Sequence, residues 1–391
     1  MKVLYLHQYF TTDGGGTRSY ELAKYLVRNG NKVTIVSGGI GNETIDGINV
    51  IRTGTKYSQK MGFSKRVYSF IHYLIKATFI GLKEKDIDLV YSTSTPLTIG
   101  IPALILKKIK NKKFIFEVRD LWPDVPVELG FIKNKLLIKL LYRLELYIYN
   151  QSEGIVVLSS GMKNRLLQKG IPKQKITIVE NMAFRDDMAK SPKKELTDLT
   201  DYDFKKKLVC VHHGTMGYVN GLEYILDLAS SYHNKDIVYL LIGNGKEKQK
   251  LINKIENEDI KNVFIIDSMK KSEVFGVLKS SDVGLMIVSD EAVLENNSAN
   301  KFFDFLAAGL PVVVNYGGWQ KKVLEEHNAG KGFEYKDKKS VYEYLKKLLS
   351  DKEFLMEVSQ NSLDLSKKYD SMALSERVLN LIESTKLTNT E

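Results

Sequence analysis

Along most of the chain, short runs of apolar and β-branched residues alternate with longer stretches whose apolar positions recur every three or four residues. In the first half, residues 3–7, 32–37, 48–53, 88–92, 113–118 and 154–158 have the length and composition of buried strands, while residues 18–29 have helical periodicity. A second strand-like series occupies 208–212, 237–242, 263–266, 283–288 and 311–315, again with helical segments between. Parallel neighbours need a crossover long enough for a helix, so this alternation predicts an α/β protein with doubly wound parallel sheets. Residues 186–206 are polar and without period. They read as a linker between an N-terminal domain, 1–185, and a C-terminal domain, 207–370. Beyond residue 337, Val341, Tyr344, Leu345, Leu348 and Leu349 share one helical face, and a last helix at about 371–384 has no strand after it.

Length and composition agree with that division. A chain of 391 residues exceeds what one core usually organises, and 43% hydrophobic with 27% charged residues fits a folded protein. The single cysteine, Cys210, has no partner for an internal disulfide. Residues 3–6 follow Met1-Lys2 directly with no cleavage-site pattern, and no apolar run reaches the roughly 18–20 residues that span a bilayer. The expected location is cytoplasmic, peripheral on the inner face of the plasma membrane.

The net charge of +11 is unevenly placed, with 28 Lys and Arg against 14 Asp and Glu in residues 1–180 and 30 against 33 in the rest. Two segments carry much of the excess. Residues 64–85 set Val67, Phe70, Ile71 and Leu74 beside Lys65, Arg66, Lys76, Lys83 and Lys85. Residues 133–143 set Leu136, Leu137, Leu140 and Leu141 beside Lys133, Lys135, Lys139 and Arg143. Such helices suit the headgroup region of an anionic membrane, and equally a core helix with a solvated edge. A nucleic-acid partner has no further support.

Candidate chemistry gathers at strand ends. Gly14-Gly15-Gly16 follows the first strand, where glycines let backbone approach a phosphate at a helix N-terminus. A dinucleotide fingerprint fits less well, because Ser19 stands where its third glycine belongs and no acidic residue ends the second strand. Arg119 and Asp120 close a central strand, so both should face the ligand crevice. There they can orient an acceptor hydroxyl and balance developing charge, or form only a structural ion pair. Glu128, within reach of the same loop, is a further candidate for that catalytic chemistry.

In the second half, Gly214 and Thr215 follow one strand, with Asn220 beyond them, and Gly243, Gly245 and Lys246 follow the next. Asn300 and Lys301 open a helix whose N–H groups and ammonium can hold a diphosphate, and Asp304 one turn on can accept from ribose hydroxyls. His212 and His213 are adjacent on a strand and point to opposite faces, so no metal cofactor is indicated.

Jointly, Gly14–Gly16, the Glu-Val-Arg-Asp-Leu-Trp-Pro run at 117–123, Ser160-Gly161-Met162-Lys163, Glu180-Asn181, 214–221, 243–245 and 300–314 resemble family 4 of the retaining glycosyltransferases. The likeness covers nearly the whole chain and is strongest to the branch that builds bacterial O-antigen and capsule chains, including N-acetylfucosaminyl transferases. It implies the GT-B fold, two Rossmann-like domains facing a central cleft, with a final helix at about 371–391 crossing back to the first. It also implies a nucleotide-diphosphate sugar donor, UDP-linked and carrying an N-acetylated hexosamine or deoxyhexosamine, in the C-terminal domain. A lipid-linked or oligosaccharide acceptor would bind the N-terminal one, and transfer would retain configuration without a metal.

Three positions depart from the family pattern. The first of two paired acidic residues is Asn296, with Glu295 beside it as the substitute sugar contact, and the second is Asp304. A lysine common before the first-turn glycine of the second domain is Asn220, which leaves phosphate neutralisation to Lys301, Lys246 or Arg18. A catalytic-loop histidine of some relatives is Arg119. A nucleotide-sugar 2-epimerase of the same fold is the alternative reading, and incubation with donor alone separates the two.

Overall fold

The computed structural model describes residues 1–12, 17–55, 61–94 and 96–387. The chain divides into two compact units, Met1–Glu180 with Ser371–Glu391, and Asn181–Asp370. In chain order the first contains β1 (Lys2–Leu6), α1 (Thr17–Arg28), β2 (Lys32–Ser37), β3 (Glu43–Ile45), β4 (Ile48–Arg52), α2 (Phe63–Lys83), β5 (Leu89–Thr93), α3 (Gly100–Lys110), β6 (Lys113–Val118), α4 (Asp124–Glu128), α5 (Lys135–Gln151), β7 (Gly154–Val157), α6 (Ser160–Gln168) and β8 (Ile176–Ile178). The second contains α7 (Arg185–Lys190), β9 (Leu208–Thr215), α8 (Glu223–Tyr232), β10 (Ile237–Asn244), α9 (Lys248–Asn257), β11 (Val263–Ile266), α10 (Lys271–Leu278), β12 (Val283–Met286), α11 (Asn300–Ala307), β13 (Val312–Val314), α12 (Gly318–Glu326), β14 (Gly330–Gly332), α13 (Lys338–Ser350) and α14 (Lys352–Lys367). The final helix, α15 (Ser371–Leu387), packs on α1 in the first unit.

The first sheet has strand order β3-β4-β2-β1-β5-β6-β7-β8, parallel throughout except the β3–β4 pair. The second has order β11-β10-β9-β12-β13-β14 and is parallel. Helices cover both faces of such sheets, which is why strands like Leu89–Thr93 are buried along their whole length rather than alternating. Leu4, Val90, Phe114 and Phe116 centre the first core, and Cys210, Leu241, Leu285 and Val313 the second. Strand order reverses between β1 and β5 in one unit and between β9 and β12 in the other. Ligand sites of open α/β sheets lie beyond the carboxyl ends of strands at such reversals.

Three departures from the sequence reading have local causes. β3, β8 and β14 are three residues each, too short to show a period. β9 runs on through Gly214 and Thr215, expected as turn, because Gly214 pairs with Gly243 of β10. Residues 186–206, expected as linker, pack into the second unit: Met188 and Leu196 are buried, and Lys194 N–H donates to the Gly276 carbonyl at 3.1 Å.

Candidate functional site

In the first unit the carboxyl ends of β1, β5 and β6 bring together His7, Gln8, Ser94 and Arg119. His7 and Gln8 are each 4% exposed, and His7 Nδ1 and both polar atoms of the Gln8 amide make no hydrogen bond. Buried polar atoms are rarely left unpaired, so these are open to an ordered water or to a ligand's polar groups. Burial, then the nearby Arg119 charge, hold the His7 imidazole well below its usual range and therefore neutral. Ser94 Oγ accepts from the Arg119 backbone N–H at 2.9 Å, fixing the start of the 119–124 loop. Asp120 is exposed on that loop. Its far end is held by Lys169, whose ammonium meets Asp124 Oδ1 at 2.8 Å and Glu145 at 2.7 and 2.8 Å. Sequence reasoning passed over His7 and Gln8, although their position at the end of the first strand was the available signal.

Two expected assignments change here. Arg18, expected at the donor phosphate, is 1% exposed and committed inside the unit. Its Nε donates to Glu117 Oε1 at 2.8 Å and its Nη2 to the Val179 carbonyl at 3.1 Å, and Nη1 meets the Glu180 carbonyl. Thr93 Oγ1 donates to the other Glu117 oxygen at 2.6 Å. Burial alone would raise the Glu117 carboxyl, but Arg18 and Arg119 outweigh it and hold the group below its ordinary value. Arg18 is thus a core ion pair. Glu128, grouped with Asp120 as catalytic, instead pairs with Arg165 of α6 at 2.7 Å. Gly15 and Gly16 lie outside the described residues.

In the second unit the expected residues converge. Gly214 and Gly243 sit side by side at the ends of β9 and β10 with φ of +126° and +154°. A Cβ on Gly243 would stand 1.8 Å from the Gly214 carbonyl oxygen, so only glycine lets the strands meet there. Gly245 is flush against Met216 in the same way, and Lys246 beyond it is exposed. Against Gly214 lies the Lys301 side chain, 3.5 Å from where a Cβ would stand. Lys301 Nζ donates to Asn220 Oδ1 at 2.7 Å and contacts His212 Nε2 at 3.1 Å. The ammonium is 7% exposed, and burial pushes its pKa down to about 7.

Helix α11 begins without a side-chain cap, since its N-cap is Ala299. Apart from the Phe302 N–H, which donates to the Ala299 carbonyl at 3.2 Å, its first N–H groups are therefore left to another acceptor. Just before it, buried Ser298 Oγ has no partner, and Asn181 Nδ2 donates to the Ser298 carbonyl while Asn181 Oδ1 is unpartnered. Asp304, one turn in, is 2% exposed, with Lys271 Nζ and His213 Nε2 each 3.7 Å from its oxygens. Burial raises the Asp304 carboxyl, opposed by Lys271. Burial and the two lysines push His213 down to about 3, so its contact with Asp304 is polar rather than ionic near neutral pH. Neither Asp304 Oδ1 nor His213 Nε2 makes a hydrogen bond.

Asn300 is half-buried in the first turn of α11, and Thr215 is exposed at the end of β9. Glu295 lies against the Gly317-Gly318 turn, and Asn296 Nδ2 donates to the Val293 carbonyl at 3.3 Å. Among the described residues no group of three or more His, Cys, Asp or Glu side chains is placed to hold a metal ion.

Residues 12–183 match the model of Glycosyltransferase Family 4, and residues 201–364 that of Glycosyl transferases group 1. A probable glycosyltransferase, WbjE of Pseudomonas aeruginosa, is 21% identical over 246 residues, 62% of this chain and 61% of that protein. A putative colanic acid biosynthesis glycosyl transferase, WcaI of Escherichia coli K12, is 19% identical over 216 residues, 54% of this chain and 53% of that protein. The chain thus spans between half and two thirds of the length of these curated relatives. Anabaena HepE in complex with UDP-glucose has the same fold, with a TM-score of 0.74 at 12% identity over 98% of this chain and all of that one. Its fold is GT-B, and the chain belongs to the glycosyltransferases of family 4 and group 1, whose models match its first and second halves.

Proposed function

We propose that the protein is a retaining, metal-independent transferase that moves a sugar from a nucleoside-diphosphate donor to a lipid-linked or oligosaccharide acceptor in cell-surface polysaccharide synthesis. The donor sugar in this reading is an N-acetylated hexosamine or deoxyhexosamine on UDP, and the enzyme works peripherally at the inner face of the plasma membrane. One observation carries the donor site: a buried ammonium, Lys301, with no carboxylate partner among the described residues, beside an uncapped helix start and flush glycines.

In the reaction, the acceptor oxygen bonds to the anomeric carbon as that carbon's bond to the diphosphate oxygen breaks. The departing diphosphate takes up the acceptor proton. Lys301 and the α11 N–H groups stabilise the charge that develops, the work a metal ion would otherwise do. Lys246, exposed beyond Gly245, adds a second cation at the phosphates. Asp304 Oδ1 accepts from the ribose, and Glu295 or Asn296 contacts the sugar. In the first unit, His7, Gln8 and Asp120 meet acceptor hydroxyls.

The membrane part rests on exposed apolar side chains set among lysines. Tyr68, Ile71, Ile75 and Phe79 are exposed on α2, Ile109 on α3, and Leu136 and Leu140 on α5, and α3 packs against both other helices. Lys65, Lys76, Lys133, Lys135 and Lys139 are exposed on or beside α2 and α5. Apolar surface rimmed by cations suits an anionic interface. No described helix is long and apolar enough to cross a membrane. The same α2 also buries Tyr73 and Ala77 in the core.

A thermal-shift panel of UDP, GDP, dTDP and their sugars tests the donor site. One nucleotide family at a hundredfold excess over its Kd should stabilise the protein by about 2.7 kcal/mol, with EDTA present. No shift with any of them would contradict the reading.

A further inference from the structure

Lys301 is held in an unusual way for a buried cation. Its two partners, Asn220 Oδ1 and His212 Nε2, are both neutral acceptors, and no carboxylate of a described residue lies within ion-pair distance of its Nζ. An ammonium has three N–H donors, and these contacts use two. The tautomer of His212 follows from its other nitrogen. Nδ1 is 2.9 Å from the Leu285 carbonyl, which can only accept, so Nδ1 carries the proton and Nε2 presents a lone pair to Lys301. His212 itself is fully buried.

We infer that His212 is a positioning residue, which through Nε2 aims the Lys301 amine at the diphosphate and leaves that amine without counter-charge until the nucleotide arrives. The inference rests on the donor-site reading above and deepens it. Its consequence is proton uptake. Burial favours the neutral amine in the empty site, and a bound diphosphate supplies the missing negative charge and draws a proton onto Nζ.

The surrounding charges do not substitute for the ligand. His212 and His213 on β9 are both neutral near pH 7, because burial and the lysines push them down. Lys271 on α10 is itself a cation and lies 3.7 Å from Asp304, the one carboxylate on the lysine's own helix. Among described residues, the other elements packed on α11, namely β12, β13, α7 and α14, bring no carboxylate within ion-pair distance of Nζ.

The test is calorimetric titration at pH 8 with whichever of UDP, GDP and dTDP raises the melting temperature most. Terminal phosphates with a second pKa of about 6 are already ionised there, so the nucleotide contributes little to the proton count. Running the titration in HEPES and in Tris, buffers of different ionisation enthalpy that carry no phosphate, gives protons taken up per nucleotide. The expected value for the wild type approaches one, and for Lys301→Met it is close to zero. Binding in the wild type with no proton uptake would overturn this inference and leave the donor site standing. A failure of all three nucleotides to bind would overturn the donor site and the inference together.

Two variants isolate His212. His212→Leu removes the acceptor and should weaken nucleotide binding about tenfold, as expected for one charge-assisted hydrogen bond. His212→Gln restores an acceptor near the Nε2 position and should recover most of the affinity and the proton uptake. If the Leu and Gln variants fold and bind equally, the side chain is packing only and the positioning role is overturned.

Discussion

Single residues show most clearly where chemistry and position part company. Arg18 has the right type and neighbourhood for a phosphate ligand, yet the fold gives it Glu117, ninety-nine residues away in sequence, as a fully buried partner. Removing one member of such a pair leaves an uncompensated charge in the core. Arg18→Met should therefore destabilise the first unit by about 3–5 kcal/mol in chemical denaturation. The contribution of Glu117 has a definite pH sense. Its folded pKa is depressed below the ordinary 4.5, so its stabilisation is present above that value and lost as pH falls through the folded pKa. Glu117→Gln should accordingly separate from wild type near neutral pH and approach it in acid. At the donor site, Asp304→Ala should raise the donor KM roughly tenfold through lost ribose hydrogen bonds, whereas Asp120→Asn should depress kcat with donor binding nearly unchanged. Near-normal steady-state constants in either variant would remove that residue from its role.

At the scale of elements, much of the architecture is legible because both sheets are parallel and buried on two faces. Strands such as Lys113–Val118 then appear as apolar runs, and the helices between them as periodic stretches. What was not legible depends on contacts distant in sequence. β14 is Gly-Lys-Gly, with no strand-forming residue, and exists because β13 offers an edge. The stretch at 186–206 has too few apolar residues to show a period, yet Met188 and Leu196 are enough to dock it. In the candidate site, the glycines, Asn220, Lys301 and Asp304 stand out in the sequence, whereas the contacts of Lys301 with Asn220 and His212 do not, because those partners lie 81 and 89 residues away along the chain. The extended β9–β10 pairing makes its own prediction. Gly243→Ala must displace the Gly214 carbonyl, at a cost of the order of 1–3 kcal/mol for the backbone conformation alone. Nucleotide affinity should fall with it, and an unchanged binding isotherm would show that the flush strand ends do not matter to the ligand.

Across the whole molecule, charge is unevenly divided. Residues 1–180 hold 28 basic and 14 acidic residues, and the exposed apolar side chains of α2, α3 and α5 lie in that same stretch. Each lysine near an anionic surface is worth about 1 kcal/mol. Lys76→Glu, Lys135→Glu and Lys139→Glu together should release the protein from phosphatidylserine-containing vesicles in sedimentation, and salt should release the wild type as well. Persistent binding of the triple variant would remove the basic face from the account. The second unit bears the central proposal, that amide groups and a buried lysine take up the charge of a nucleotide's diphosphate. Nucleotide binding by Lys301→Met, measured in EDTA beside the wild type, tests it most directly. The account predicts affinity lower by roughly tenfold to a hundredfold with the folded state intact; equal affinity in the two proteins would contradict it.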